Sequence, residues 1–345
     1  MTPEQAVLLG CCLAACAPAG RLQRLRIAAG SVPVLAAWIQ PLRSLRALTL
    51  VARNDDLTVK CSLAHCTQLT ALSLQSGALT FADGVRLPPS LLRLEPVHPH
   101  SGALPDQLSD LTQLSGLSLA PKYGQDADSF DVLLQLPALR SLLIAPVSYL
   151  PACLGRLTRL EQLVLMLFEA GNAEPEDAAG EAFDGTLRQL VHLTSLYLSL
   201  DDPRACLPAL ASLPRLQRLC IIGRGHEPAS LPAGPWLSSL RELGTSRACL
   251  CSSSQVLAVA AQLERVAVMS GLSGKVRRSE PLFAWLSAHP PLRCLELHIR
   301  GNLHSGMRSA VAGLQQGRPE LQVAFIGGST EQSNFVTGFH TIQFF

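Results

Sequence analysis

The sequence predicts an α/β repeat array, built from short units that each carry one helix-like limb and one strand. Three observations predict it. The stretch from Leu150 to Leu165 reads LPACLGRLTRLEQLVL, with leucine at 150, 154, 157, 160 and 163 and then, after a step of two, at 165. Steps of three and four keep one face of a helical segment apolar, whereas a step of two marks a strand with one buried face. The same pattern stands at 104–119 as LPDQLSDLTQLSGLSL. A shorter frame, LxxLxL with conservative replacements, then recurs along almost the whole chain.

Taken in order, that frame reads LQRLRI at 22, LRALTL at 45, LTALSL at 69, LLRLEP at 91, LSGLSL at 114 and LRSLLI at 139. It continues as LEQLVL at 160, LTSLYL at 193, LQRLCI at 216, LRELGT at 240, LERVAV at 263, LRCLEL at 292 and LQVAFI at 321. The first leucines of these thirteen copies stand 21–25 residues apart, apart from one step of 33 and two of 29. A merely leucine-rich chain does not hold that phase. A period near 23 falls within the range of leucine-rich repeats.

The chain therefore resembles the leucine-rich-repeat family over residues 21–326. The LPxxLxxLxxLxxLxL form at 104–119 and 150–165 is most similar to the intracellular, plant-type class. The resemblance implies an α/β solenoid shaped as a horseshoe. Short parallel strands would line its concave face, and short helical or irregular limbs its convex face. It also implies use in binding other proteins, without naming a partner.

One feature departs from the family pattern, which places Asn or Cys three residues after the last strand leucine. Here that position holds Arg53, Gly77, Lys122, Val147, Phe168, Asp201, Arg224, Gly271 and Arg300. No asparagine ladder is expected. In some copies the inward alternation is expected to run one step further, through Leu167, Leu200 and Ile299.

Composition bounds the function. A single core of 345 residues would be large, but a repeat array packs unit on unit and removes that limit. Charged residues make up 16 % of the chain and the net charge is +2, which argues for neither a nucleic-acid nor an acidic partner. Aromatics are only 5 %, so leucine and alanine must fill the core. Eleven cysteines form no paired framework and no CxxC, which reads as free thiols of a reducing compartment.

Residues 1–20 read as an apolar N-terminal cap. The run from Gln5 to Gly20 has no basic residue before it, as a secretory signal would require, and it is too short to span a bilayer. The LLGC at 8–11 looks like a lipoprotein cleavage box, and a signal is the alternative to the cap. The longest step contains residues 169–186, with six carboxylates and no basic residue. Its Gly, Ala and Pro content reads as a solvated loop rather than a packed element, the alternative being an acidic arm beside the binding face. A second insertion near 270–281 is basic. Residues 327–345 leave the repeat and carry Phe335, Phe339, Phe344 and Phe345, suited to capping the last coil.

The reactive motifs fail on inspection. GLSGK at 271–275 lacks the upstream glycine and the following Ser or Thr of a phosphate-binding loop. GRGHEP at 223–228 ends in proline instead of the third glycine of a dinucleotide fingerprint. His98 and His100 supply two possible metal ligands without a third. Neither GxSxG nor HExxH occurs. Basic residues are not interleaved with aromatics as nucleic-acid binding would want. No catalytic, cofactor or metal site is expected.

Function is then expected on the concave strands. Alternation sends the frame leucines inward and the residues between them outward. The outward apolar positions are Leu143, Val164, Met166, Tyr197, Cys220 and Ile222, rimmed by Arg218, Glu242 and Arg265. Elsewhere the outward positions are Arg26, Thr49, Ser73, Ser118, Glu296 and His298. An apolar cluster on such a surface is a candidate interface, with Tyr197 its natural anchor. The expected role is a non-catalytic, cytoplasmic scaffold or adaptor for protein partners. A receptor-type sensor or secreted module is the alternative and an enzyme the third reading; a cytoskeletal or ciliary place follows from family analogy alone.

Overall fold

The computed structural model describes residues 22–29, 34–35, 42–52, 57–60, 62–75, 79–97, 106–120, 127–147, 150–167, 177–200, 203–223, 230–270, 280–289, 291–299 and 305–327. The strands fall into two compact units that divide between Arg159 and Leu160.

In the first unit the described strands are β1 (Arg24–Ala29), β2 (Val34–Leu35), β3 (Ala47–Ala52), β4 (Leu57–Val59), β5 (Ala71–Gln75), β6 (Leu79–Phe81), β7 (Arg93–Val97), β8 (Gly116–Leu119) and β9 (Ser141–Val147). Strands β1, β3, β5, β7, β8 and β9 lie side by side in that order, each parallel to the next. Like frame positions pair: Leu25 meets Leu48, Leu48 meets Leu72, and Leu117 meets Leu142. The limbs of the first coils are not helical or irregular, as the resemblance implied. They form a second parallel sheet, β2-β4-β6. Leu57-Thr58-Val59 and Leu79-Thr80-Phe81 are made of residues that fit a pleated surface. Later limbs of this unit do turn as 3-10 helices, at Asp106–Leu108, Ala127–Gln135 and Ala152–Arg156.

The second unit carries β10 (Gln162–Leu167), β11 (Ser195–Leu200), β12 (Arg218–Gly223), β13 (Glu242–Ser246), β14 (Arg265–Ser270), β15 (Cys294–Ile299) and β16 (Gln322–Gly327), parallel and in chain order. Among the described residues its limbs are the 3-10 segments Pro203–Ser212 and Pro235–Ser238 and five helices. These are α1 (Asp177–Gln189), α2 (Arg247–Ser252), α3 (Ser254–Leu257), α4 (Glu280–Ala288) and α5 (Ser305–Gly317). Each parallel pair is joined through a limb, as parallel pairing requires. Both units are leucine-rich-repeat stacks.

Three recurring contacts hold the coils. The step of three before each strand is a 3-10 turn, in which Leu69 N–H donates to Cys66 O at 2.9 Å and Leu193 N–H to Leu190 O at 3.0 Å. Two successive amides then donate to one carbonyl of the preceding coil. Thr194 and Ser195 reach Glu161 O at 2.8 and 3.1 Å, and Gln217 and Arg218 reach Thr194 O, both at 2.9 Å. Hydroxyls beside the corner leucine add a third. Ser44 Oγ donates to Leu22 O at 3.1 Å, Ser90 Oγ to Leu69 O at 2.9 Å, Thr194 Oγ1 to Glu161 O at 3.0 Å and Ser239 Oγ to Leu216 O at 2.9 Å. Serine and threonine thus satisfy inter-coil carbonyls. Of the nine positions where the family pattern has Asn or Cys, Val147 alone lies among residues whose side chains are described, and it is buried.

The frame leucines form the core. Leu117, Leu119, Leu163 and Leu165 are all fully buried, as the alternation predicts. Leu200 is buried too, which agrees with a longer inward run in that copy.

Two expectations need correction. The acidic insertion is not wholly a loop, because residues 177–189 form α1, whose Phe183 and Leu187 are buried and which packs on Pro203–Ser212. Phe183, Leu187 and Leu190 stand at helical spacing, and the Ala- and Gly-rich acidic composition masks that stripe. Residues 169–176 lie outside the described set. The last copy is also one residue short. Register pairs Leu295 with Val323 and Leu297 with Phe325, so Val323 and Phe325 take the inward phase instead of Ala324 and Ile326.

Candidate functional site

On one strand, residues two apart share a face, and parallel pairing sets like positions beside each other. In the second unit this aligns three rows on the face opposite the leucine core. The first joins Gln162, Ser195, Arg218, Glu242, Arg265 and Cys294. The second joins Val164, Tyr197, Cys220, Gly244, Ala267 and Glu296. The third begins with Met166, Ser199 and Ile222. Val164, Met166, Tyr197, Cys220, Ile222, Arg218 and Arg265 thus alternate with the frame leucines and stand in these rows. Leu143 has the same phase in the first unit, on β9 beside Ser118, and is half-buried.

Exposure is where the structure differs. Val164 and Cys220 are 0 % exposed and Tyr197 is 3 % exposed, so the middle row is not an open surface. Ala267, Met269, Glu296 and His298 on β14 and β15 are buried as well. Met166, Ile222, Arg218 and Arg265 keep partial exposure. In the first unit Arg26 is exposed and Thr49 and Ser73 are half-buried.

Charge is gathered at one end of this face. Arg265 Nη1 donates to Glu242 Oε1 and its Nη2 to Glu296 Oε1, both at 3.3 Å, tying three adjacent strands. Burial opposes the Arg265 charge, but Glu242, Cys294 and Glu296 outweigh it and hold the guanidinium above its ordinary range. His298 sits 4.0 Å from Glu296 Oε2, and neither ring nitrogen has a hydrogen-bond partner. Burial lowers its pKa, with Glu296 opposing part of the shift. Ser195 Oγ is another buried atom of this face without a partner. Cys294, Glu296 and His298 share the face, yet no group of three or more His, Cys, Asp or Glu side chains fit to hold a metal occurs among the described residues. Alternation placed Glu296 and His298 outward, but nothing local in the sequence signals their burial.

These histidines make a pH prediction. His289 is lowered like His298, by burial first and then by Arg318. A base whose folded pKa is depressed takes up its proton more readily when unfolded. Its stabilising effect is full above the unfolded value near 6.5 and is lost as pH falls below it. Glu95 has the opposite sign. Burial raises it to about 7 against the pull of Arg93, so its contribution is full below the ordinary carboxylate value and is lost as pH rises through about 7. Urea unfolding monitored separately for the two units should show the second losing stability between pH 7 and 5.5, at up to about 1.4 kcal/mol per pH unit per histidine. A His289→Gln, His298→Gln variant should flatten that slope. Glu95→Gln should leave it unchanged.

Comparison with known proteins adds little beyond the architecture. No family model matches the chain, and no curated protein matches it. Among solved structures, a leucine-rich-repeat protein of Leptospira interrogans, LIC12759, is similar at 15 % identity, covering 91 % of this chain and 98 % of its own, with a TM-score of 0.35. The leucine-rich-repeat domain of the type III effector XopL is similar at 18 % identity over 76 % of this chain and 72 % of its own, with a TM-score of 0.31. A TDR receptor shares 14 % identity over 89 % of this chain and 65 % of its own, with a TM-score of 0.30. The leucine-rich-repeat architecture stands on this chain's own strand order and register. No described helix is long and apolar enough to cross a membrane.

Proposed function

We propose that the chain is a non-catalytic interaction scaffold that binds a protein partner on the outward face of the second unit's sheet. The alignment of outward positions over successive parallel strands supports this reading. It offers a partner a continuous platform whose side chains can vary without disturbing the core. Met166 and Ile222 form the partly exposed apolar contact, with Arg218 and Arg265 at its rim. Tyr197, Val164 and Cys220 stand in the neighbouring row of the same face. The reading places the protein in the cytoplasm, in keeping with its free thiols at Cys153, Cys220, Cys249, Cys251 and Cys294.

The test compares partners captured from an extract by the wild type and by a Met166→Glu, Ile222→Glu variant. Charging two apolar contacts should reduce capture by roughly tenfold or more while the melting temperature holds nearly constant. A folded variant that retains every partner moves the site to another surface.

A further inference from the structure

The net charge of +2 hides an uneven distribution. Residues 21–53 carry six arginines and no lysine, histidine, aspartate or glutamate. Parallel register sets part of this charge on the first unit's sheet, on the face opposite the leucine core. One row there joins Arg24, Ala47, Ala71 and Arg93, and the next joins Arg26, Thr49, Ser73 and Glu95. Arg24 and Arg26 are exposed, as are Arg43 and Arg46 just before β3. Among the described residues, no side-chain hydrogen bond or ion pair reaches these four guanidiniums. In the second unit, by contrast, Arg265 is tied to Glu242 and Glu296. Crowded like charge opposes folding, and a ligand of opposite sign relieves it.

We infer that β1, β3, β5 and β7 bind an acidic segment of a partner protein, laid over the alanines between Arg24 and Arg93. Ala47 and Ala71 each project a single carbon, whereas the side chains flanking them are long and cationic, so the row forms a trough. The span from β1 to β7 is three strand steps, about 14 Å, which gives room for one extended chain. Arg24 and Arg26 stand two residues apart on β1, about 6.6 Å, the repeat at which an extended peptide presents alternate side chains. A guanidinium holds a carboxylate through two parallel hydrogen bonds, and Thr49 and Ser73 add hydroxyl donors in the neighbouring row. Glu95 is the one carboxylate of the two rows; it lies at their far end and feels the Arg93 charge. These rows hold no aromatic ring on which a base could stack, which favours a protein over a single-stranded nucleic acid. The surface shares no residue with the platform proposed on β10, β11 and β12, and either can stand without the other.

Fluorescence anisotropy tests this with the full chain and two fluorescein-labelled probes, a peptide of alternating Glu and Ser and its Gln counterpart. The Glu peptide should bind at low salt, weaken as sodium chloride rises, and exceed the Gln peptide in affinity by roughly tenfold or more. An Arg24→Ala, Arg26→Ala variant should lose roughly tenfold or more of that affinity. An Arg241→Ala, Arg293→Ala variant removes the same charge from exposed positions of the second unit and should stay within about twofold of the wild type. Equal losses in the two variants would reduce the effect to net charge and overturn the inference. Absence of Glu-peptide binding at low salt overturns it too, as does tighter binding of poly(U) RNA. If Arg24→Ala, Arg26→Ala lowers the melting temperature, the wild-type chain decides. A benzophenone carried on the Glu peptide should then crosslink to peptides containing 24–29, 47–52, 71–75 or 93–97. Adducts confined to the second unit overturn the inference.

Discussion

Leu165→Asp is expected to unfold the second unit's sheet around β10 and β11. Leu165 is fully buried and pairs in register with Leu198, also fully buried. Removing the leucine forfeits about 1.5–3 kcal/mol of burial. Among the described residues the leucine face offers the new carboxylate no charged partner, which adds several kcal/mol more. Stability in a stacked array is shared between neighbours, so β11 should loosen with β10. Met166→Asp, one residue further on, is the control. Met166 lies on the opposite face and is partly exposed, so that change should cost no more than about 1 kcal/mol. Urea unfolding of both variants checks the pair. Equal effects would contradict the strand phase.

The second large effect is expected from Arg318→Ala. Arg318 stands three positions before the corner leucine, where the coil before it carries His289 and most other described coils a buried apolar residue. Its Nη1 donates to Leu286 O at 3.1 Å and His289 O at 2.6 Å, its Nη2 to Leu292 O, and its Nε to Glu320 Oε1 at 3.1 Å. The guanidinium closes the final coil by satisfying carbonyls of the coil before it. Truncation leaves three buried carbonyls without this donor, at a combined cost of roughly 3–5 kcal/mol. The exposed Glu320 contact contributes little by comparison. A second readout follows from His289, which stacks on Trp285 with centroids 5.2 Å apart and whose pKa the Arg318 charge helps to lower. Arg318→Ala should raise the His289 pKa in an NMR titration. Loss of stability without that rise would separate the packing role from the electrostatic one.

The repeat frame was legible because leucine at fixed spacing both names the limb and sets the strand phase. Leu117, Leu119, Leu163 and Leu165 fall where the alternation puts them. The phase of the last copy was not legible, because in QVAFI both alternations are apolar: Val323 with Phe325, and Ala324 with Ile326. The helix over 177–189 was hidden by residues that also suit a loop. The hydroxyl contacts between coils were open to view, since Ser or Thr flanks the corner leucine at Ser44, Thr70, Ser90, Ser115, Thr194 and Ser239. The asparagine position of the family pattern lies elsewhere, three residues past the last strand leucine. Alternation gives the phase of Val164, Tyr197 and Cys220 but not their burial, which no local pattern carries. The HxH pair at 98–100, the GLSGK stretch and the N-terminal cap lie outside the described residues.

Residue-resolved amide hydrogen exchange tests the repeat architecture most directly. The inter-coil ladder predicts slow exchange at the paired amides of Thr194 and Ser195, Gln217 and Arg218, Arg241 and Glu242, Glu264 and Arg265, and Arg293 and Cys294, each just after a corner leucine. Between these pairs, the amides of the exposed limb residues should exchange faster. Protection that recurs with the leucine frame is the predicted result; protection without that recurrence, or fast exchange at these pairs in the folded protein, would contradict it.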